Sequence, residues 1–162
     1  MSRLDSFIRR LQAQRDILNW AMDTIAGKSG NVLEIGLGNG RTYDHLRSRL
    51  GPERIYAFDR ANNANPRSQP LDERLVLGEF ADTLPAFAAA HPEGAVLVHS
   101  DAGLGDLEAN ARQVIMMSGI LPSLLAPGGV LLSDQKLSHP DLRLQPMPVP
   151  IPPDRYFVYI KG

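Results

Sequence analysis

The chain has no cysteine. That single absence excludes disulfides, thiolate nucleophiles and thiolate metal sites together. No apolar run approaches the roughly 20 residues that a membrane-spanning helix needs. The opening segment Met1–Phe7 carries charges where a secretory leader needs an unbroken apolar stretch, so a cytoplasmic address is expected. An excess of one charge is also missing: 17 Lys and Arg face 18 Asp and Glu, for a net charge of -1. Nothing in that balance draws the chain to phosphate backbones or membranes, and neither is an expected partner. There is no Gly-x-Ser-x-Gly elbow and no Gly-Lys-Ser/Thr phosphate loop, which leaves serine hydrolysis and phosphate-loop chemistry with little support.

What is present is an ordinary globular balance, 43% hydrophobic and 22% charged over 162 residues. That length suits one core, and no repeat or long linker divides it, so a single domain over residues 1–162 is expected. Ser2 with Asp5 reads as a capping box, and Leu4, Phe7, Ile8, Leu11, Leu18, Ala21, Met22 and Ile25 then fall on one helical stripe. This predicts a long amphipathic helix over residues 1–27, ended near Gly27. Short apolar runs follow at Asn31–Ile35, Arg54–Phe58, Arg74–Leu77, Ala95–His99 and Val130–Ser133. Helical stretches separate them at Thr42–Leu50, Asp82–Ala90 and Leu107–Leu125, the last with a break expected at Pro122. Strands alternating with helices imply an α/β fold, an open, doubly wound, mainly parallel Rossmann-like sheet of six or seven strands in three layers, α/β/α. Prolines crowd residues 138–155, which reads as an extended surface strap, and residues 156–160 supply a terminal strand expected at the sheet edge.

The most specific pattern is Val32-Leu33-Glu34-Ile35-Gly36-Leu37-Gly38-Asn39-Gly40-Arg41-Thr42. A strand ends beside an acid and runs into Gly-x-Gly-x-Gly at the start of a helix. Glycines let the backbone turn sharply and approach a ligand, and the exposed N–H groups at a helix N-terminus suit an anion such as a carboxylate. A dinucleotide fingerprint would place its third glycine one residue later, where Arg41 stands.

These residues resemble the first motif of the class I S-adenosylmethionine-dependent methyltransferases, in particular small bacterial members with a helical N-terminus. Asp59, at the end of the second strand, resembles the acid that holds both ribose hydroxyls in that family. Gly78-Glu79-Phe80 resembles the segment flanking the adenine, and Leu125 to Leu131 the turn into the fifth strand. The likeness covers about residues 31–134. It implies S-adenosyl-L-methionine as cofactor, with Glu34, Gly36, Leu37, Gly38, Asn39, Gly40, Thr42, Asp59, Arg60, Glu79, Phe80 and Asp101 as its binding residues. The implied reaction is in-line displacement of the activated methyl, which depends above all on alignment.

No catalytic residue stands out. His99 and His45 lie where a parallel sheet exposes its active edge and have the right proton affinity for a base. Trp20, Arg15 and Tyr43 are candidate pocket walls, with Arg15 facing the cofactor carboxylate. Asp101 is equally a common turn residue. Asp101, Asp134 and Gln135 resemble the ligands of metal-dependent catechol-type O-methyltransferases, but Gln135 replaces an asparagine and no lysine follows Asp101, so no metal is expected. The usual substrate-binding insertions are absent, which favours a small-molecule acceptor or a pocket completed by a second subunit in a homo-oligomer. The Asn/Asp-Pro-Pro-Tyr/Phe tetrapeptide of many amino-group methylases is missing too. Two alternatives stay open: an S-adenosylmethionine-binding module without transferase activity, and a nicotinamide-dependent oxidoreductase.

Overall fold

Helix α1 spans Arg3–Thr24. Its start is built from the first residues alone: Ser2 Oγ accepts from the Asp5 amide at 3.0 Å, and the Asp5 carboxylate accepts from the Ser2 amide at 3.1 Å. Two amides that no helical carbonyl can reach are satisfied in this way. The computed structural model describes all 162 residues. After α1 come β1 (Val32–Ile35), α2 (Arg41–Leu50), β2 (Ile55–Asp59), β3 (Leu75–Leu77), α3 (Phe80–Ala90), β4 (Ala95–Ser100), α4 (Leu107–Leu124), β5 (Leu125–Ser133), β6 (Leu142–Leu144) and β7 (Phe157–Lys161). The strands form one seven-stranded sheet in the order β3-β2-β1-β4-β5-β7-β6. The neighbours from β3 to β5 run parallel, and β7 is antiparallel to both β5 and β6.

Strand side chains alternate between two buried layers. Val32, Ile55, Ala57, Leu97, Val130 and Val158 pack beneath α1 and α2 against Ile17, Met22 and Leu46. Leu33, Ile35, Phe58, Val98 and Leu131 face the other way, onto Leu84 of α3 and Met117 and Leu121 of α4. Burying both faces explains why β1 is fully buried along its length.

The structure departs from the sequence reading in four places. The stripe on α1 is buried only in its second half; Leu4, Phe7 and Ile8 are 66%, 40% and 43% exposed, because the helix outruns the sheet it packs on. There is no break at Pro122, which lies in the last turn of α4, where a missing amide removes a single hydrogen bond. Strand β5 begins five residues early, at Leu125, because Pro127-Gly128-Gly129 is taken up as a bulge between the pairs Ala95–Leu125 and Leu97–Val130. The final strand is not at the edge. It sits between β5 and β6, and β6, the edge, comes from inside the proline-rich strap.

Strand β7 also fixes the segment that leaves β5. The Tyr159 hydroxyl accepts from the Leu137 amide at 2.7 Å and donates to the Leu137 carbonyl at 3.0 Å. Both residues are buried. Tyr159→Phe leaves two buried backbone groups unpaired and is expected to lower stability by about 1–3 kcal/mol. A shift of the urea midpoint at unchanged slope checks this, and an unmoved midpoint would count against the clamp.

Candidate active site

Strand order reverses between β1 and β4, so the loops leaving these neighbours diverge and a crevice opens beyond their carboxyl ends. The loop from Gly36 to Gly40 forms one wall. Gly36 (φ 89) and Gly40 (φ 90) are held by packing: a Cβ on Gly36 would meet the Asp101 carbonyl at 2.5 Å, and one on Gly40 the Ser68 Cβ at 2.8 Å. Gly38 (φ 51) is different, since nothing lies within 4 Å of where its Cβ would be. Its amide donates to Asp59 Oδ2 at 2.9 Å, while Asp59 Oδ1 accepts from the Arg60 amide at 2.7 Å. The carboxylate at the end of β2 is thereby aimed along the loop.

The crevice has two lobes that meet at Gly36, Gly38 and Asp101. One, of about 240 Å³, lies among Asp59, Arg60, Phe80, the turn Ala102–Leu104 and Gln113. The other, of about 200 Å³, is polar and lies among Arg10 and Gln14 of α1, the loop through Thr42, and Arg155.

Beneath the floor runs a chain of buried polar groups. Glu34 of β1 and His99 of β4 are register partners with no exposure, and the His99 Nδ1 lies 2.6 Å from Glu34 Oε1. The His99 Nε2 lies 3.1 Å from the Tyr156 hydroxyl, which donates to Asp101 Oδ2 at 3.1 Å. Gln14 Nε2 reaches the same Asp101 oxygen at 2.7 Å. Burial pushes Glu34 up against the pull of the imidazole. It pushes His99 down, but the Glu34 carboxylate, with Asp101 and Asp134 farther off, outweighs this and leaves the imidazole above its usual range. Tyr156 is raised by burial and by the carboxylates of Asp101 and Glu34, so it stays a neutral donor.

Asp101 and Asp134 extend β4 and β5 by one residue each, beyond the paired Ser100 and Ser133. Asp134 stands behind the cleft, its Oδ2 accepting from the Gly103 amide at 3.0 Å and its Oδ1 buried without a partner. Burial and the adjacent Asp101 raise it to about 6.

Of the residues expected from the sequence, Gly36, Leu37, Gly38, Asn39, Gly40, Thr42, Asp59, Arg60, Phe80 and Asp101 line the crevice. Glu34 does not, lying under it in the buried chain. Glu79 lines neither lobe; it pairs with Arg60 at 3.1 Å, in an exposed pair of small energetic weight. The two histidines are placed elsewhere than an accessible base would be: His99 is enclosed, and His45 is bonded to Asn19 at 2.7 Å between α2 and α1. Tyr43 is core, Trp20 packs against the same core, and Arg15 pairs with Asp16 instead of facing the crevice. Asp101 and Asp134 do come together, but the Gln135 amide turns to Asn110 at 3.3 Å, and no three acidic or histidine side chains converge at metal-binding spacing. Arg10, Gln14, Arg155 and Tyr156 were not anticipated. Arg10 and Gln14 stand four apart on one helix face, but packing decides which face of α1 meets the crevice; Arg155 and Tyr156 carried no signal.

The sheet order, the glycine loop at the reversal point and the acid ending β2 are the architecture of the Rossmann-like class I methyltransferases. A family model described as S-adenosyl-L-methionine methyltransferase matches residues 1–161, and the chain belongs to that family. It is an S-adenosylmethionine-dependent methyltransferase. Among solved structures it is similar to an S-adenosyl-L-methionine methyl transferase from Silicibacter pomeroyi DSS-3, at 40% identity and a TM-score of 0.91 over 100% of this chain and 99% of that one. Its fold is shared by the magnesium protoporphyrin IX methyltransferase of Synechocystis PCC 6803, solved with S-adenosylmethionine bound, at 12% identity and a TM-score of 0.65 over 96% and 81% of the two chains. It is shared also by a TDP-rhamnose 3′-O-methyltransferase of calicheamicin biosynthesis, at 19% identity and a TM-score of 0.60 over 98% and 83%. A search of curated proteins returned no match. No helix is long and apolar enough to cross a membrane.

The Asp101–Asp134 pair has a consequence for stability. The folded-state pKa of Asp134 lies above the ordinary carboxyl value of 3.8, at about 6. Its favourable contribution is therefore full below about pH 4 and is lost as pH rises through about 6. Asp134→Asn removes the ionisation and offers Asp101 an N–H. The variant is expected to gain on the wild type between about pH 4 and pH 7, by about 1–2 kcal/mol. Denaturant titrations at the two pH values check this, and a difference that does not vary with pH would refute it.

Proposed function

We propose that residues 1–162 act as one S-adenosylmethionine-binding unit that methylates a small-molecule acceptor, with the donor spread across both lobes of the crevice. The observation that carries this reading is Gly38, whose side-chain position opens onto empty space at the junction of the lobes, beside Asp59. A ligand can approach the backbone there as it cannot at Gly36 or Gly40. Asp59 Oδ1 and Oδ2 would take the ribose hydroxyls, and Phe80 would cover the adenine in the less polar lobe. In the polar lobe, Asp101 Oδ1 accepts no hydrogen bond, which suits the donor's ammonium. The N-terminus of α2 and Arg10 suit its carboxylate. Glu34 and His99 act by holding Asp101 in place through Tyr156. Bound S-adenosylmethionine supplies an electrophilic methyl on a sulfonium that is already a good leaving group. The protein's part is alignment of donor and acceptor, which can supply several kcal/mol of the barrier.

A small acceptor is supported by the walls available to it, which are α1, the turn after β4 and the segment before β7, with no inserted domain. The magnesium protoporphyrin and TDP-rhamnose enzymes that share the fold also have small molecules in their names. Calorimetric titration with S-adenosylmethionine, S-adenosylhomocysteine and NAD tests the donor site. Micromolar binding of the two adenosyl ligands is expected, weakened about ten-fold or more in Asp59→Ala, or roughly 1.4 kcal/mol. Preference for NAD, or an Asp59→Ala variant that binds as the wild type does, would overturn the assignment.

A further inference from the structure

Four guanidiniums gather at one end of the crevice: Arg9 and Arg10 on α1, Arg41 at the start of α2, and Arg155 just before β7. None belongs to an ion pair, whereas Arg47, Arg49 and Arg60 each hold a carboxylate. Arg10 and Arg41 lie 5.2 and 6.0 Å from the Phe7 ring, which draws the two cations to one spot. A second cavity, of about 230 Å³, opens beyond the polar lobe among Met1, Ser6, Arg9, Arg10, Pro152 and Arg155, where Arg9 makes only a long contact to the Met1 sulfur at 3.7 Å. Arg10 and Arg155 form part of both cavities. Arg155 Nε is buried with no acceptor.

The acids nearby do not answer this charge. Asp101 spends Oδ2 on Gln14 and Tyr156. Asp5 caps its own helix through Ser2, and Asp154 is exposed and makes no ion pair. A buried guanidinium N–H without an acceptor is costly, and arginine forks fit carboxylate and phosphate better than any neutral group. The donor brings one carboxylate, which Arg10 and the N-terminus of α2 take in the reading above. One such group does not answer four guanidiniums.

We propose that the methyl acceptor is a small anion carrying a carboxylate or phosphate, and that Arg9 and Arg155 bind that group in the cavity beyond the polar lobe. The rest of the acceptor then reaches past Arg10 toward Asp101, where the two lobes meet. This assignment rests on the donor reading above, and the test separates the two.

Citrate and pyrophosphate are titrated calorimetrically into the free chain and into the chain saturated with S-adenosylhomocysteine. At least one anion is expected to bind both forms with a Kd of about 1 mM or tighter. Arg9→Gln and Arg155→Gln are each expected to weaken it about five-fold or more. Arg9 lies outside the donor lobes, so Arg9→Gln should leave S-adenosylhomocysteine affinity unchanged. The preferred anion reports whether the group is carboxylate or phosphate. The proposal is overturned if neither anion binds, if both variants bind as the wild type does, or if S-adenosylhomocysteine abolishes anion binding, since the arginines would then serve the donor's carboxylate alone. Failure of S-adenosylhomocysteine to bind strikes the donor reading only, because the free-chain titration still reads the anion site.

Discussion

A carboxylate at the centre of a sheet sets the terms for this protein. Glu34 has no exposure, and an ionised acid in that position is tolerated only with a partner of complementary charge. His99 is that partner, and it can be reached because β1 and β4 are neighbours in the register that sets the two residues side by side. Everything else in the buried chain follows from the imidazole having a second nitrogen to satisfy. Tyr156 meets it from the segment entering β7, and the tyrosine in turn fixes Asp101 at the floor of the crevice. Three elements distant in sequence, β1, β4 and the segment entering β7, are thus tied together through one proton-sharing row, and the row ends on the carboxylate that both lobes share.

The crevice follows from topology and the loop's shape from glycine, but the two contribute differently. The reversal between β1 and β4 would open a gap with almost any loop. Gly36 and Gly40 allow this loop to press against the Asp101 carbonyl and Ser68 without a Cβ in the way. Of the three, Gly38 alone has open space where a Cβ would stand. One motif thus combines two packing glycines with one that leaves room for a ligand.

What could be read from the sequence was what depends on near neighbours. The capping box, the strand ending at Asp59 and the loop from Gly36 to Gly40 are settled within a few residues, and they stand where the pattern put them. What could not be read depends on how distant pieces meet. Arg10 and Arg15 are five residues apart on α1 and equally plausible as wall residues. The packing of Ile17, Leu18, Ala21 and Met22 rotates the helix so that Arg10 faces the crevice and Arg15 does not. His99 looks like a base on an exposed edge until Glu34 and Tyr156 enclose it. Leu142–Leu144 is a strand only because β7 is there to pair with it, and proline density around it hides the signal.

The placement of β7 also governs how this sheet can be made on the ribosome. β5 finds its partner on that side only when residues 157–161 have emerged, and β6, though synthesised earlier, has nothing to join until then. Between the synthesis of β5 and that of β7, the nascent chain therefore carries an open flank on β5. Such late, long-range pairing slows assembly and leaves a strand edge available to other chains. The Pro-rich stretch that precedes β7 is poor in backbone donors, which makes it a weak partner for that open edge in the interval.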